Sequence, residues 1–236
     1  MGEARRRAMI TIAVCWDGRD FYPVKYVNIL LSMVKRNLQI PFEFVLLAGP
    51  EAEKRRGELS PEISIVPTGL PYWWGKLWMY KADLQGFSDI ILYLDLDIVI
   101  TGDLGVIAEI KSDFTGFKDY PAASCPAGRE YDLNTSVVLM RRGARPEVWD
   151  EYVAAGMPTW EPFSKQRGRL PLAEMSIINS REKPVKHDLI PEKWVKSYKL
   201  HKMAQTGLPA DCRIAVFHGR PKPHEVNDSW VKENWR

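Results

Sequence analysis

The chain has 236 residues, 45% of them apolar and 27% charged, with a formal net charge of +3. That is the make-up of one folded globular domain, too weakly basic to imply a nucleic-acid partner. Its three cysteines, Cys15, Cys125 and Cys212, are odd in number and far apart, which excludes a zinc spacing and a disulfide framework and fits a reducing compartment.

In chain order, residues 1–8 read as a loose, basic arm. Met9 to Cys15 is a β-branched apolar run and reads as a first strand. Pro23 opens a helix that carries Val27, Leu30, Leu31, Val34 and Leu38 on one face. Phe42 to Ala48 reads as a second buried strand stopped by Gly49-Pro50, and Ile63 to Val66 as a third stopped by Pro67. Gly75 to Leu84 reads as a helix. The apolar run from Ile90 to Ile100 follows, interrupted by Asp95 and Asp97 alone, and its first part reads as a buried parallel strand. Alternating strands and helices of this kind predict a mainly parallel sheet covered on both faces. Beyond it, Ser136 to Met140 reads as a strand and Pro146 to Ala155 as a helix with proline in its first turn. Leu172 to Asn179 reads as a short helix, and Val185 to Leu189 and Ile214 to Phe217 as strands. Ser197 to Asp211 reads as a loop over a site. No apolar run approaches the roughly eighteen residues that cross a membrane, and no signal-type segment follows the basic start. The expected location is cytoplasmic, at most peripheral at a membrane surface.

The carboxylates of Asp95 and Asp97 are the strongest chemical signal. Acids at the end of a buried strand need a cation or hydrogen-bond donors. Open α/β sheets bind ligands past the carboxyl ends of their strands. At strand spacing the two side chains share a side, and hard oxygen ligands suit Mg²⁺ or Mn²⁺. The plainer alternative is a strand-end pair that caps the next helix or satisfies loop amides. In Phe217-His218-Gly219-Arg220-Pro221-Lys222-Pro223, a strand delivers an imidazole that could complete a Mn²⁺ site. A glycine then lets the backbone approach a ligand, and Lys222 supplies a point charge for phosphate. A surface turn is the plainer reading. Trp73-Trp74-Gly75-Lys76 places a cation near a helix start, where anions bind, or else a solvated lysine beside aromatic core. Asn134 and Ser136 lead into a buried strand and either line a cleft or close a turn. Glu174 sits in an otherwise apolar helical turn, facing a cleft or solvent. The nine Trp and nine Tyr are either core or stacking platforms for flat ligands and sugars.

Together these segments resemble the nucleotide-sugar-dependent glycosyltransferases of the GT-A fold, most closely the glycogenin and galactosyltransferase-like group called family 8. Tyr93-Leu-Asp95-Leu-Asp97 looks like that family's metal-binding motif. Asn134-Thr-Ser136-Val-Val-Leu-Met140 is similar to its sugar-contacting strand, and Ala173-Glu174-Met-Ser-Ile-Ile-Asn179 to the helix whose leading acid sits near the donor sugar. His218-Gly-Arg-Pro-Lys222-Pro223 is similar to its closing motif, with fewer residues between His and Gly and with His224 where an aromatic usually follows. The usual Asp-Gln pair is here Glu174-Met175.

The resemblance implies an α/β, GT-A (Rossmann-like) domain over 9–236, with a nucleotide-binding half over 9–100 and a sugar and acceptor half over 101–236. It implies a metal-dependent hexosyltransferase that uses a nucleoside-diphosphate sugar, UDP-sugar favoured, with a glycan or lipid-linked acceptor, and retention at the anomeric carbon. It places Asp95, Asp97 and His218 on Mn²⁺ or Mg²⁺. Asp17, Tyr22, Lys76, Gly219 and Lys222 fall on the donor nucleotide, and Asn134 and Glu174 on the transferred sugar. Two other readings compete. One is a haloacid-dehalogenase-type phosphatase with Asp95 as nucleophile, disfavoured by the roughly ninety residues that precede the motif. The other is a non-catalytic nucleotide-sugar binding protein.

Overall fold

The computed structural model describes residues 9–119, 133–157 and 189–236. Strands β1 (Ile10–Trp16), β2 (Phe42–Ala48), β3 (Ile63–Pro67) and β4 (Ile90–Leu94) are joined by β6 (Phe114–Lys118) and β7 (Leu133–Arg141) in a six-stranded sheet. Its order is β3-β2-β1-β4-β7-β6. The first four strands run parallel, whereas β7 lies antiparallel to both β4 and β6. The chain steps from β1 outward to β2 and β3, then returns to lay β4 on the other flank of β1. The β1/β4 junction is therefore the switch point at which such sheets bind ligands.

The sheet is buried on both faces, and its strands divide their side chains with a period of two. Ile10, Ile12, Val14 and Trp16 of β1 pack with helix α1 (Lys25–Asn37), together with Leu92 and Leu94 of β4. Ala13, Ile91 and Tyr93 point the other way, into a second cluster with Trp74, Leu77 and Tyr80. The α1 stripe appears as expected, burying Tyr26, Val27, Leu30, Leu31, Met33 and Val34. Each large apolar side chain so buried contributes about 1.5–3 kcal/mol.

Short helices α2 (Pro50–Lys54), α3 (Gly105–Ala108), α4 (Pro146–Ala154), α5 (Met203–Thr206) and α6 (Ser229–Asn234) complete the described architecture. The expected α-helix over Gly75–Leu84 is instead a 3₁₀ segment over Tyr72–Tyr80. Six of its residues are buried, Gly75 and Lys76 among them, so it is wedged against β1 and α4 rather than laid down with one wet face. A Cβ on Gly75 would meet Cys15 Sγ at 2.9 Å.

The Ile90–Ile100 run does not continue as one strand. It breaks at Asp95-Leu96-Asp97, and β5 (Ile98–Ile100) joins a second sheet with β8 (Val195–Ser197) and β9 (Ile214–Val216), in the order β5-β9-β8. The expected helix at Leu172–Asn179, residues 185–188 of the expected strand and the arm at 1–8 lie outside the described residues. Among the described residues no helix is long and apolar enough to cross a membrane.

Candidate active site

Asp95 and Asp97 occupy the short passage between the two sheets, at the carboxyl end of β4. Backbone bonds hold the passage at both ends. The Asp95 amide donates to the Ser136 carbonyl of β7 at 2.8 Å, and the Asp97 carbonyl accepts from the Phe217 amide just past β9 at 2.8 Å. The antiparallel β5–β9 pairing, Ile98 opposite Val216, thus brings the closing motif beside the acidic one, although the two lie far apart in sequence.

The Asp97 side chain meets Lys222 there. Lys222 Nζ lies 2.5 Å from Asp97 Oδ2, with side-chain exposures of 7% and 12%. Tyr22 donates its hydroxyl to the same oxygen at 2.9 Å, and Lys222 donates to that hydroxyl at 2.7 Å. Burial holds the Asp97 carboxyl above its ordinary range, with the Lys222 ammonium opposing. Burial likewise raises the Tyr22 hydroxyl, reinforced by Asp97, so it stays a donor. Tyr22 therefore meets the acidic motif through its hydroxyl.

Asp95 is more open, with 29% of its side chain exposed. Tyr93 donates its hydroxyl to Asp95 Oδ1 at 2.8 Å, and Lys76 Nζ lies 3.7 Å from the same oxygen. Lys76 is not at a helix start, as expected, but inside the 3₁₀ segment. It is buried and donates to the Thr135 carbonyl at 2.5 Å and to Thr135 Oγ1 at 3.0 Å. Its ammonium also lies 4.5 Å above the Tyr93 ring. Lys76 thus ties β7 to Asp95.

His218, the expected third member of the metal trio, is engaged by a neighbouring strand. Its Nε2 lies 2.7 Å from Ser197 Oγ at the end of β8. Among the described residues no three His, Cys, Asp or Glu side chains gather closely enough to hold an ion. The parallel β8–β9 register, Ser197 opposite Val216, turns the imidazole toward β8. Burial, Lys199 and Lys222 together depress it to about 4. Gly219 follows with φ +66°, a left-handed conformation that glycine adopts without strain.

Asn134 is buried in β7, and its side-chain amide is committed to the chain just past β6 and to its own strand. It donates to Asp119 Oδ1 at 2.7 Å and accepts from the Ser136 amide at 2.9 Å. Asp17 accepts from the Arg19 amide at 3.0 Å, closing the turn after β1. Glu174 lies outside the described residues.

Sequence reasoning missed a lock on this side of the site. Arg19 donates to the Tyr72 hydroxyl at 2.6 Å and lies 4.1 Å over its ring, and Tyr72 holds φ +55°. A non-glycine residue there is uncommon, and such strain gathers at ligand clamps.

Two carboxylates, two lysines and two tyrosines thus converge at the carboxyl edge of the parallel strands. Solved structures share the fold that carries these residues. LgtC, a galactosyltransferase solved with donor and acceptor sugar analogues, superposes with a TM-score of 0.63 over 91% of this chain and 89% of its own, at 14% identity. An active-site mutant of LgtC gives 0.65 over 95% and 93%, at 12% identity. The chain has the GT-A fold. The bifunctional glycosyltransferase WbbM gives 0.61 at 13% identity, and this chain spans 51% of its length. No family profile and no curated protein sequence matches the chain.

Proposed function

We propose that this protein is a glycosyltransferase that moves a sugar from a nucleoside-diphosphate sugar, UDP-sugar favoured, to a hydroxyl of a glycan or lipid-linked acceptor. The observation that carries the reading is the meeting of Asp97 with Lys222 at the switch point of a GT-A sheet. A carboxylate suited to a divalent cation and an ammonium suited to phosphate share one place there.

The donor set fits Mn²⁺ or Mg²⁺ as far as Asp95 and Asp97. Both are hard oxygen ligands, and Asp97 already faces a cation in the Lys222 ammonium. His218 is engaged by Ser197 Oγ, and its place on the ion rests on the family resemblance. A bound divalent ion would neutralise charge on the departing diphosphate. Lys222 supplies positive charge to the same leaving group and can exchange Asp97 for a phosphate oxygen. Tyr22, on both groups, keeps the carboxylate oriented through that exchange. Lys76 and Tyr93 fix the Asp95 rotamer. Asn134 and Glu174 belong with the donor sugar by family resemblance, which also implies retention. The GT-A likeness favours sugar transfer over a phosphatase with Asp95 as nucleophile.

A panel of sugar nucleotides with Mn²⁺ tests the reading. The protein is expected to hydrolyse one donor slowly without acceptor, and UDP with Mn²⁺ should raise its melting temperature. That shift should vanish in Asp97→Ala. A panel with neither turnover nor a thermal shift sinks the proposal, and a shift that survives in Asp97→Ala sinks the assignment of Asp97 to the ion.

A further inference from the structure

Lys199 sits just past β8, within the Ser197–Asp211 segment expected to lie over a site but outside the motifs that carry the family resemblance. Parallel pairing of Ser197 with Val216 makes the chain beyond β8 and the chain beyond β9 leave at the same edge. The Tyr198 and Phe217 rings stack at 4.3 Å and 19°, and Ser197 Oγ meets His218. The next residues on each chain, Lys199 and Gly219, are therefore neighbours. A Cβ on Gly219 would lie 3.1 Å from Lys199 Nζ, so the glycine leaves room for that ammonium.

Lys199 is solvent-exposed and makes no ion pair among the described residues. Yet it lies in the field of Lys222 and Asp97, and burial together with Lys222 holds its pKa below the usual lysine value. Two ammonium groups share this corner, and the carboxylate of Asp97 is already engaged by Lys222. Such a corner attracts an anion carrying more than one negative charge.

We propose that Lys199 is a second phosphate-binding residue of the donor site, acting with Lys222 on the diphosphate of the sugar nucleotide. The inference rests on the sugar-nucleotide reading above. It also accounts for the shortened closing motif, since a cation from the chain beyond β8 adds to the charge that the motif presents.

Calorimetry with UDP and UMP in the presence of Mn²⁺, on the wild type, Lys199→Ala and Lys199→Arg, tests it. Lys199→Ala should weaken UDP about tenfold, or about 1.4 kcal/mol, with a smaller loss for UMP. Lys199→Arg should recover most of the affinity, and the melting temperature without ligand should not move, because the side chain is exposed. UDP affinity in Lys199→Ala within about twofold of the wild type overturns the proposal, and so does an equal loss for UMP. A wild type that binds neither nucleotide fails at the donor-site reading itself, a result distinct from wild-type binding that Lys199→Ala leaves unchanged.

Discussion

Lys222 and Asp97 form a nearly dry ion pair, and its worth depends on what is removed. Breaking a buried pair by deleting one partner leaves an uncompensated group. Replacing Lys222 with methionine keeps the volume and removes the charge. Among the described residues Asp97 would then keep only the Tyr22 hydroxyl, and it would take up a proton, which limits the damage. Lys222→Met should lower unfolding free energy in urea by about 2–3 kcal/mol at neutral pH and should cut donor turnover by more than tenfold. Unchanged or increased stability would mean that the pair contributes nothing to folding. Asp97→Asn tests the other partner. It keeps a hydrogen-bond acceptor for Tyr22 while removing the charge opposite Lys222, and should lose turnover as well.

At the scale of elements, the loop after β1 is set by one glycine. Gly18 has φ +88°, and a Cβ there would lie 2.1 Å from the Ala52 nitrogen of α2. Both strain and overlap with backbone oppose any side chain. Gly18→Ala should destabilise the protein by about 2 kcal/mol or more and should weaken UDP, because Asp17, Arg19 and Tyr22 hang from that loop. A thermal melt within a degree of the wild type would refute this.

The parallel strands and α1 were legible because burial on both faces and a clean helical stripe both leave periodic marks. Phe42–Ala48 is bounded as expected, and Asp95, Asp97 and Lys222 meet across the fold. Periodicity was silent where no pattern changes. Nothing in the Ile90–Ile100 run says that its last residues join another sheet. Phe114–Lys118, with Gly and Thr inside it, is too short and mixed to stand out, and the six residues of α6 give too few turns to score. The aromatic run at Tyr72–Tyr80 misled because it is buried on nearly every side, so no amphipathic face identifies its helix type. The approach of Lys199 to Gly219 and the His218–Ser197 bond were invisible for another reason. Both depend on the register of β8 against β9, which no local signal encodes.

At the scale of the molecule, the small sheet fastens the acidic motif to the closing motif, and the C-terminal tail fastens both to α1. Arg36 donates to the carbonyls of Asn234 and Arg236, each at 2.6 Å, and the Tyr26 ring meets Trp235 edge-on at 5.0 Å. His218 lies inside this clasp, which gives its titration a global readout. Its folded pKa is about 4, lowered by burial and then by Lys199 and Lys222, whereas an unfolded histidine titrates near 6.5. Between those values the unfolded chain binds the extra proton, so this group's contribution is complete above about pH 6.5 and is lost as pH falls toward 4. Asp97, raised by burial, acts in the opposite sense. Urea unfolding of the metal-free wild type and of His218→Asn, run from about pH 7.5 to 4.5, separates the two, because Asp97 is common to both proteins. The stability gap between wild type and variant should narrow steadily as the solution is acidified. Parallel curves across that range would show that His218 is not held neutral between β8 and β9.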